Sequence, residues 1–280
     1  MKRLILLLLV LPILASAADR SYLVSISQWT NMPALILVFH GHTETASGVI
    51  GLLGQPENTV IVAPQGIGNS WDACHCCGEA YDRQIDDIAF VDSLIDRMIL
   101  EYGVDPDRVY LVGRSNGGML CHKYAGALPG KIAAFADVSG CLGGQATPYS
   151  QIAIPEDPSR AVSVFMVHGQ VDAVVQIAQD WDDPGPGRRD VSFEDGVKFW
   201  RERCGYDRWS EREETPEYVL NSYVSSEANP RRPRGLVSMV LKGVGHDIYN
   251  WGFVRDKILD FFEKHPRRVA RQDVDRERDF

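Results

Sequence analysis

Residues 109–120 read VYLVGRSNGGML, and a strand, a turn and a helix follow one another around these twelve positions. Val109, Tyr110, Leu111 and Val112 form a continuously apolar run, the character of a strand buried on both faces. From Asn116 to about Leu128 the pattern is helical, and Pro129-Gly130 ends it. Between the two lies Gly113-Arg114-Ser115-Asn116-Gly117, a G-x-S-x-G pentapeptide. A serine at so sharp a strand-to-helix turn stands clear of the sheet in strained backbone geometry. Glycines on either side let neighbouring chain approach without a Cβ clash. The pentapeptide alone occurs by chance in many proteins, so its meaning comes from the strand before it and the helix after it.

The same alternation runs along the chain on both sides. Tyr22–Ser27 alternates as an early, half-exposed strand, whereas 34–40 (ALILVFH) and Thr59–Ala63 are continuous apolar runs. Asp86-Asp87 opens a helix whose face carries Ile88, Val91, Ile95, Met98 and Tyr102, and Gly103 closes it. Further strands are expected at 132–138, 161–167, 218–224 and 236–241, with helices at 192–203 and 253–264. Strands alternating with helices predict a mostly parallel sheet covered on both faces, here the α/β-hydrolase class. The Asp182–Asp190 stretch, with Pro184-Gly185-Pro186-Gly187, reads as a surface loop within one domain.

A serine hydroxyl is a weak nucleophile near neutral pH and needs a base oriented by a carboxylate. On this class of sheet the partners follow in the order serine, acid, histidine. Asp172 lies just beyond the strand at 161–167, and His246 just beyond the strand at 236–241, so both are expected at the same sheet edge as Ser115. Asp137, which ends the preceding strand, is the alternative acid. His40 and His168 end strands before glycines and are expected to be structural. Oxyanion donors are expected from the backbone N–H of Asn116 and from the loop His40-Gly41-His42-Thr43, with His42 preferred and Thr43 as fallback. Trp71, Trp181 and Tyr249 fall in loops at this edge and are the expected substrate-binding aromatics.

Charge narrows the partners. The 29 Lys and Arg against 38 Asp and Glu give a net charge of −9, which argues against a nucleic-acid binder working by phosphate neutralisation. Lys2 and Arg3 precede the apolar run Leu4–Leu14, and Ala15-Ser16-Ala17 supplies small residues for cleavage. That run is too short to span a bilayer, so residues 1–17 are expected to be a signal peptide, with a catalytic domain at 18–265 and a charged, solvated tail at 266–280. A secreted protein without a stable membrane anchor follows from this reading. Six cysteines in an oxidising compartment allow up to three disulfides, and their spacing does not choose among the pairings. Cys74, Cys76 and Cys77 are expected in disulfides. The Cys74-His75-Cys76-Cys77 cluster lacks an answering ligand pair in the sequence, so no metal is expected.

The chain resembles the secreted polyhydroxybutyrate depolymerase-type esterases, a group overlapping feruloyl and acetylxylan esterases of the α/β-hydrolase superfamily. The likeness rests on VYLVGRSNGGML with SW-x4-CCG (70–78), DDIAF (86–90), EYGVDPDRVY (101–110), HGQVDAVV (168–175), GVGHDIYNW (243–251) and DFFEKH (260–265). It implies a serine esterase with Ser115 as nucleophile, Asp172 as acid and His246 as base, acting without a cofactor on small-molecule or polysaccharide-linked esters of the short-acyl or aryl (acetyl or feruloyl) type, or on hydroxyalkanoate esters. The sequence departs from the pattern at His42, often cysteine or another small residue in the group, and at Asp247-Ile248-Tyr249. Rival readings are a non-catalytic binding protein on the same fold and a serine peptidase of the same fold.

Overall fold

The apolar runs pair side by side as the middle of one nine-stranded sheet. The computed structural model describes residues 20–27, 31–147, 150–178, 187–227, 229, 231–248 and 251–268. The expected signal peptide at 1–17, Trp181, Tyr249 and residues 269–280 of the expected tail lie outside them. The first half of the chain forms β1 (Tyr22–Ile26), β2 (Ala34–Phe39), α1 (Ala46–Val49), β3 (Thr59–Pro64), α2 (Gly78–Asp82), α3 (Asp87–Tyr102), β4 (Val109–Arg114) and α4 (Asn116–Ala127). There follow β5 (Ala134–Val138), β6 (Gly144–Gln145), β7 (Ser163–Gly169), β8 (Arg189–Asp190) and α5 (Phe193–Cys204). The chain continues through β9 (Arg208–Glu214), β10 (Tyr218–Val224), β11 (Gly235–Leu241) and α6 (Trp251–Lys264).

The sheet order is β1-β3-β2-β4-β5-β7-β11-β10-β9. From β3 to β11 every pairing is parallel, and antiparallel strands close both edges. Period-two alternation divides the core between the two faces. Leu35, Leu37, Phe39 and Leu111 pack with Val91, Ile95 and Trp200, the side covered by α3, α4 and α5. Ile36, Val38, Tyr110 and Val112 pack with Val49, Ile258 and Phe262, the side covered by α1 and α6. This is why β2 and β4 read as unbroken apolar runs: both of their faces are interior.

Local signals act where they stand in the chain. Asp86 caps α3 by accepting the N–H of Ala89 at 2.9 Å, and Gly103 ends it in the left-handed conformation at φ 62°. Ser192 caps α5 through the N–H of Asp195, and Gly205 ends it. Two features depart from expectation. β9, RWSEREE, carries too much charge to show a strand pattern, and it forms an exposed edge where such charges discourage further pairing. Pro266 and Arg267, expected to begin a solvated tail, are docked instead: Arg267 donates from its backbone N–H to the carbonyl of Asp107 at 2.8 Å and from Nε to its carboxylate at 2.7 Å.

β3 lies on one side of β2 and β4 on the other, so the connections after β2 and β4 diverge. The crevice opened at the carboxyl ends of these strands is where open α/β sheets place their sites.

Candidate active site

Ser115 occupies the turn between β4 and α4 with φ 53° and ψ −121°, a positive φ on a residue with a Cβ. The neighbouring glycines make this turn feasible. A Cβ on Gly113 would lie 2.1 Å from the Gly117 carbonyl oxygen, and one on Gly117 would lie 2.6 Å from that of His40. Close passage of β4, α4 and the end of β2 therefore leaves no room for side chains there, as the G-x-S-x-G spacing anticipates.

Ser115 Oγ is 3.0 Å from His246 Nε2, and His246 Nδ1 is 2.7 Å from Asp172 Oδ2. Because a carboxylate only accepts, Nδ1 carries the proton and Nε2 is left to accept from the serine. The other carboxylate oxygen of Asp172 accepts the N–H groups of Val174 and Val175 at 2.8 and 2.9 Å. Burial pushes the Asp172 carboxyl up, but the bonds from His246, Val175 and Val174 outweigh it, and its pKa lies below the ordinary value. His168 is buried beside it and donates from Nε2 to the Val175 carbonyl at 2.7 Å, which holds the acid's loop.

Asp137 has a different partner. Its Oδ2 lies 3.0 Å from His122 Nε2, and its Oδ1 accepts the N–H of Gly140 at 2.9 Å. Trp200 Nε1 donates to His122 Nδ1 at 2.8 Å, so the His122 proton sits on Nε2, facing Asp137. This Asp–His–Trp relay is fully buried behind the elbow and does not reach His246.

The loop after β2 is built as tightly. His40 Nδ1 donates to the carbonyl of Gly41, while its Nε2 accepts the N–H of Gly66. Burial lowers the His40 pKa, against the opposing effect of the Gly41 bond. The Thr43 N–H is spent on the Asn69 carbonyl at 2.8 Å, whereas His42 stands exposed on the turn. Gly41 backs against the nucleophile, since a Cβ there would lie 3.4 Å from Ser115 Cβ.

Trp71 is corrected by its burial. It is 0% exposed, its Nε1 donates to the carbonyl of His40 and its ring meets the edge of Phe39, so it is a core residue beyond the reach of a substrate. Asn116 has a side-chain role that the sequence reading did not assign. Its Oδ1 accepts the N–H of Trp71 at 2.7 Å, and its Nδ2 donates to the carbonyls of Trp71 and Cys76, each at 3.1 Å. Nothing local in the sequence signals a clamp across 45 positions.

The cysteines meet expectation at Cys76 and Cys77 and depart from it at Cys74. Cys76 and Cys77 form a disulfide with each other, and Cys74 is free, as are Cys121, Cys141 and Cys204. Burial pushes the Cys74 thiol up to about 12, chiefly against the pull of Lys123. Folding does bring His75, Cys141 and Asp190 together, with potential ligand atoms within 4.8 Å of one another. The Asp190 carboxylate is already neutralised by Arg188, at 2.9 Å from Nε and 3.0 Å from Nη2. Burial raises the Cys141 thiol well above its ordinary value, which opposes the thiolate a metal requires. A cavity of about 770 Å³ between Tyr81, Lys123 and Glu156 lies off to the side, and Ser115, Asp172 and His246 do not line it.

Comparison with known proteins bears on the fold first. No protein-family model matches the chain. The acetyl xylan esterase from Aspergillus awamori superposes with a TM-score of 0.59 at 16% identity, over 89% of this chain and 95% of that one. A bifunctional acetylxylan esterase/xylanase, XynS20E of Neocallimastix patriciarum, is 34% identical over 129 residues, 45% of this chain and 16% of that protein. NocK of Nocardia uniformis subsp. tsuyamanensis is 24% identical over 231 residues, 76% of this chain and 64% of that protein. This chain thus spans less than two thirds of the length of either sequence relative. Sheet order, elbow and structural likeness together define the α/β-hydrolase fold.

Proposed function

We propose that this chain is a secreted serine carboxylic-ester hydrolase acting on short-acyl or aryl esters, of the acetyl or feruloyl type, including those carried by plant polysaccharide. The observation that carries the reading is the continuous hydrogen-bonded line Ser115 Oγ–His246 Nε2–Asp172 Oδ2 at the mouth of the switch-point crevice. The likeness to a bifunctional acetylxylan esterase/xylanase supports the acyl type. The short apolar leader and its small-residue end support export, and no described helix is long and apolar enough to cross a membrane.

In this reading His246 Nε2 removes the Ser115 proton as Oγ attacks the ester carbonyl. The negative charge on the carbonyl oxygen is met by the N–H groups of Asn116, at the open N-terminus of α4, and of His42. His42 is assigned over Thr43 because the Thr43 N–H is already committed to Asn69. Asp172 holds the imidazole in the required tautomer and stabilises the imidazolium. Collapse of the tetrahedral species breaks the C–O bond, and His246 hands its proton to the departing alcohol. A water that gives its proton to the same nitrogen then attacks the acyl-enzyme. The acid is released as His246 returns a proton to Ser115. No cofactor enters these steps.

The test pairs Ser115→Ala with a fluorophosphonate probe and a panel of aryl acetate, aryl butyrate, methyl ferulate, acetylated xylan and polyhydroxybutyrate. The native chain is expected to hydrolyse the acetate and ferulate esters and to be labelled once. The alanine variant is expected to lose both properties, with at least about a thousandfold loss of turnover. Labelling of the alanine variant, or a native chain that hydrolyses nothing on the panel, overturns the proposal.

A further inference from the structure

Three chain segments meet at Ser115, and each brings one element of the proposed reaction: the elbow at 113–117, the turn at 41–44 with His42, and the loop at 243–247 with His246. Arg114, the residue directly before the nucleophile, reaches the other two. Its Nη1 is paired with the Glu44 carboxylate and its Nη2 with that of Asp247. Glu44 follows His42 by two positions, and Asp247 follows His246 directly. Glu44 in turn closes its own turn from both ends. Its N–H donates to the Gly41 carbonyl at 3.2 Å, and its Oε2 accepts the Gly41 N–H at 2.8 Å.

Given the ester-hydrolase reading, on which this step rests, we infer that Arg114 is a positioning residue that holds the oxyanion turn and the base loop in register with the nucleophile. A guanidinium suits the task because its planar fork presents separate N–H groups to two carboxylates at once, which an ammonium on a flexible stem does not do with fixed geometry. There is little slack for the turn to take up. A Cβ at Gly41 would stand 3.1 Å from Glu44 Oε2 and 3.4 Å from Ser115 Cβ.

Magnitudes separate this role from simple stabilisation. The Arg114 side chain is 20% exposed, that of Glu44 31% and that of Asp247 75%, so the pairs lie in the range where ion pairs add little to folding. Oxyanion donors, by contrast, act only when placed within a few tenths of an ångström of the developing charge, and a misplacement of about 1 Å costs on the order of a hundredfold in rate. The network therefore belongs to turnover more than to melting.

Arg114→Met, Arg114→Lys, Glu44→Gln and Asp247→Asn are compared on an aryl acetate, with active sites titrated, alongside melting curves and hydrogen exchange at 41–45 and 243–248. Arg114→Met is expected to lower kcat per active site by about ten- to a hundredfold with KM within about twofold and little change in Tm. The lysine variant should recover part of the loss. Exchange should rise in both segments whether or not the chain turns over. Unchanged kcat per active site, a change confined to KM, or unaltered exchange overturns the inference. If the native chain hydrolyses no ester and Ser115 is not labelled, it is the hydrolase reading that fails, while exchange still decides whether Arg114 holds the two segments.

Discussion

Asn116 Oδ1 accepts the backbone N–H of Trp71 at 2.7 Å, so the residue after the elbow serine fastens a loop 45 positions away. All three polar atoms that its side chain engages on that loop belong to the backbone, and Asn116 and Trp71 are both buried. The backbone of Asn116 is thereby held at the elbow by its own side chain.

Asn116→Ala strands the N–H and the carbonyl of Trp71 without partners in a buried site, while the Cys76 carbonyl keeps the N–H of Ala73. Each such group costs about 1–3 kcal/mol. A loss of about 3 kcal/mol in folding stability is expected by urea titration, and a variant as stable as the native chain contradicts the clamp.

Asp172→Asn and Asp137→Asn should fail in different ways. At 172 an amide favours the wrong imidazole tautomer, and kcat should fall by about ten-thousand-fold with the fold intact. At 137 the side chain accepts from both His122 and Gly140. An amide has one acceptor oxygen, so its NH2 must face a donor, and a stability loss of about 2 kcal/mol is expected with most of the turnover kept. Kinetics and denaturation of the two variants decide the assignment, and a reversed pattern makes Asp137 the acid.

Ser115→Gly should be more stable than Ser115→Ala by about 1 kcal/mol, because only glycine adopts φ 53°, ψ −121° without a Cβ penalty. Both variants should be inactive. Equal melting of the two would show that the elbow carries no strain.

Acidification should weaken the fold in two stages. Burial holds the pKa of His40 and of His265 below the ordinary 6.5. Between those lowered values and 6.5 the unfolded chain binds protons that the folded chain refuses. Stability is thus complete above 6.5 and falls as pH drops through the folded values. Asp172 and Asp190 extend the loss further down. Burial raises both, but hydrogen bonds, led by those from His246 and His75, hold them below 3.8. Their contribution is present above 3.8 and disappears as pH falls through the lower folded values. Asp87, raised by burial, runs the other way and partly offsets this. Urea midpoints from pH 8 to pH 3 should show the first decline near 6, reduced in His265→Gln. A flat profile down to pH 4 contradicts it.

Short-range physics wrote much of the fold into the sequence. A strand buried on both faces must be apolar throughout, so β2, β3 and β4 declare themselves. A helix with one buried stripe must repeat every three to four residues, so α3 shows both its face and, through Asp86 and Gly103, its ends. Gly113 and Gly117 mark the elbow because steric exclusion there is local to the turn. β9 left no such trace, since an exposed edge needs no apolar alternation. Which carboxylate faces His246, whether Trp71 lines a pocket or fills the core, and what Arg114 holds are relations between residues 45 to 133 positions apart. Composition is the same either way: Asp137 stands at the end of one apolar strand and Asp172 just beyond the next, and Trp71 is an aromatic in a loop. Only the packing of α4 and α5 against the sheet turns Asp137 inward to His122 and Trp200, leaving Asp172 at the open edge to meet His246.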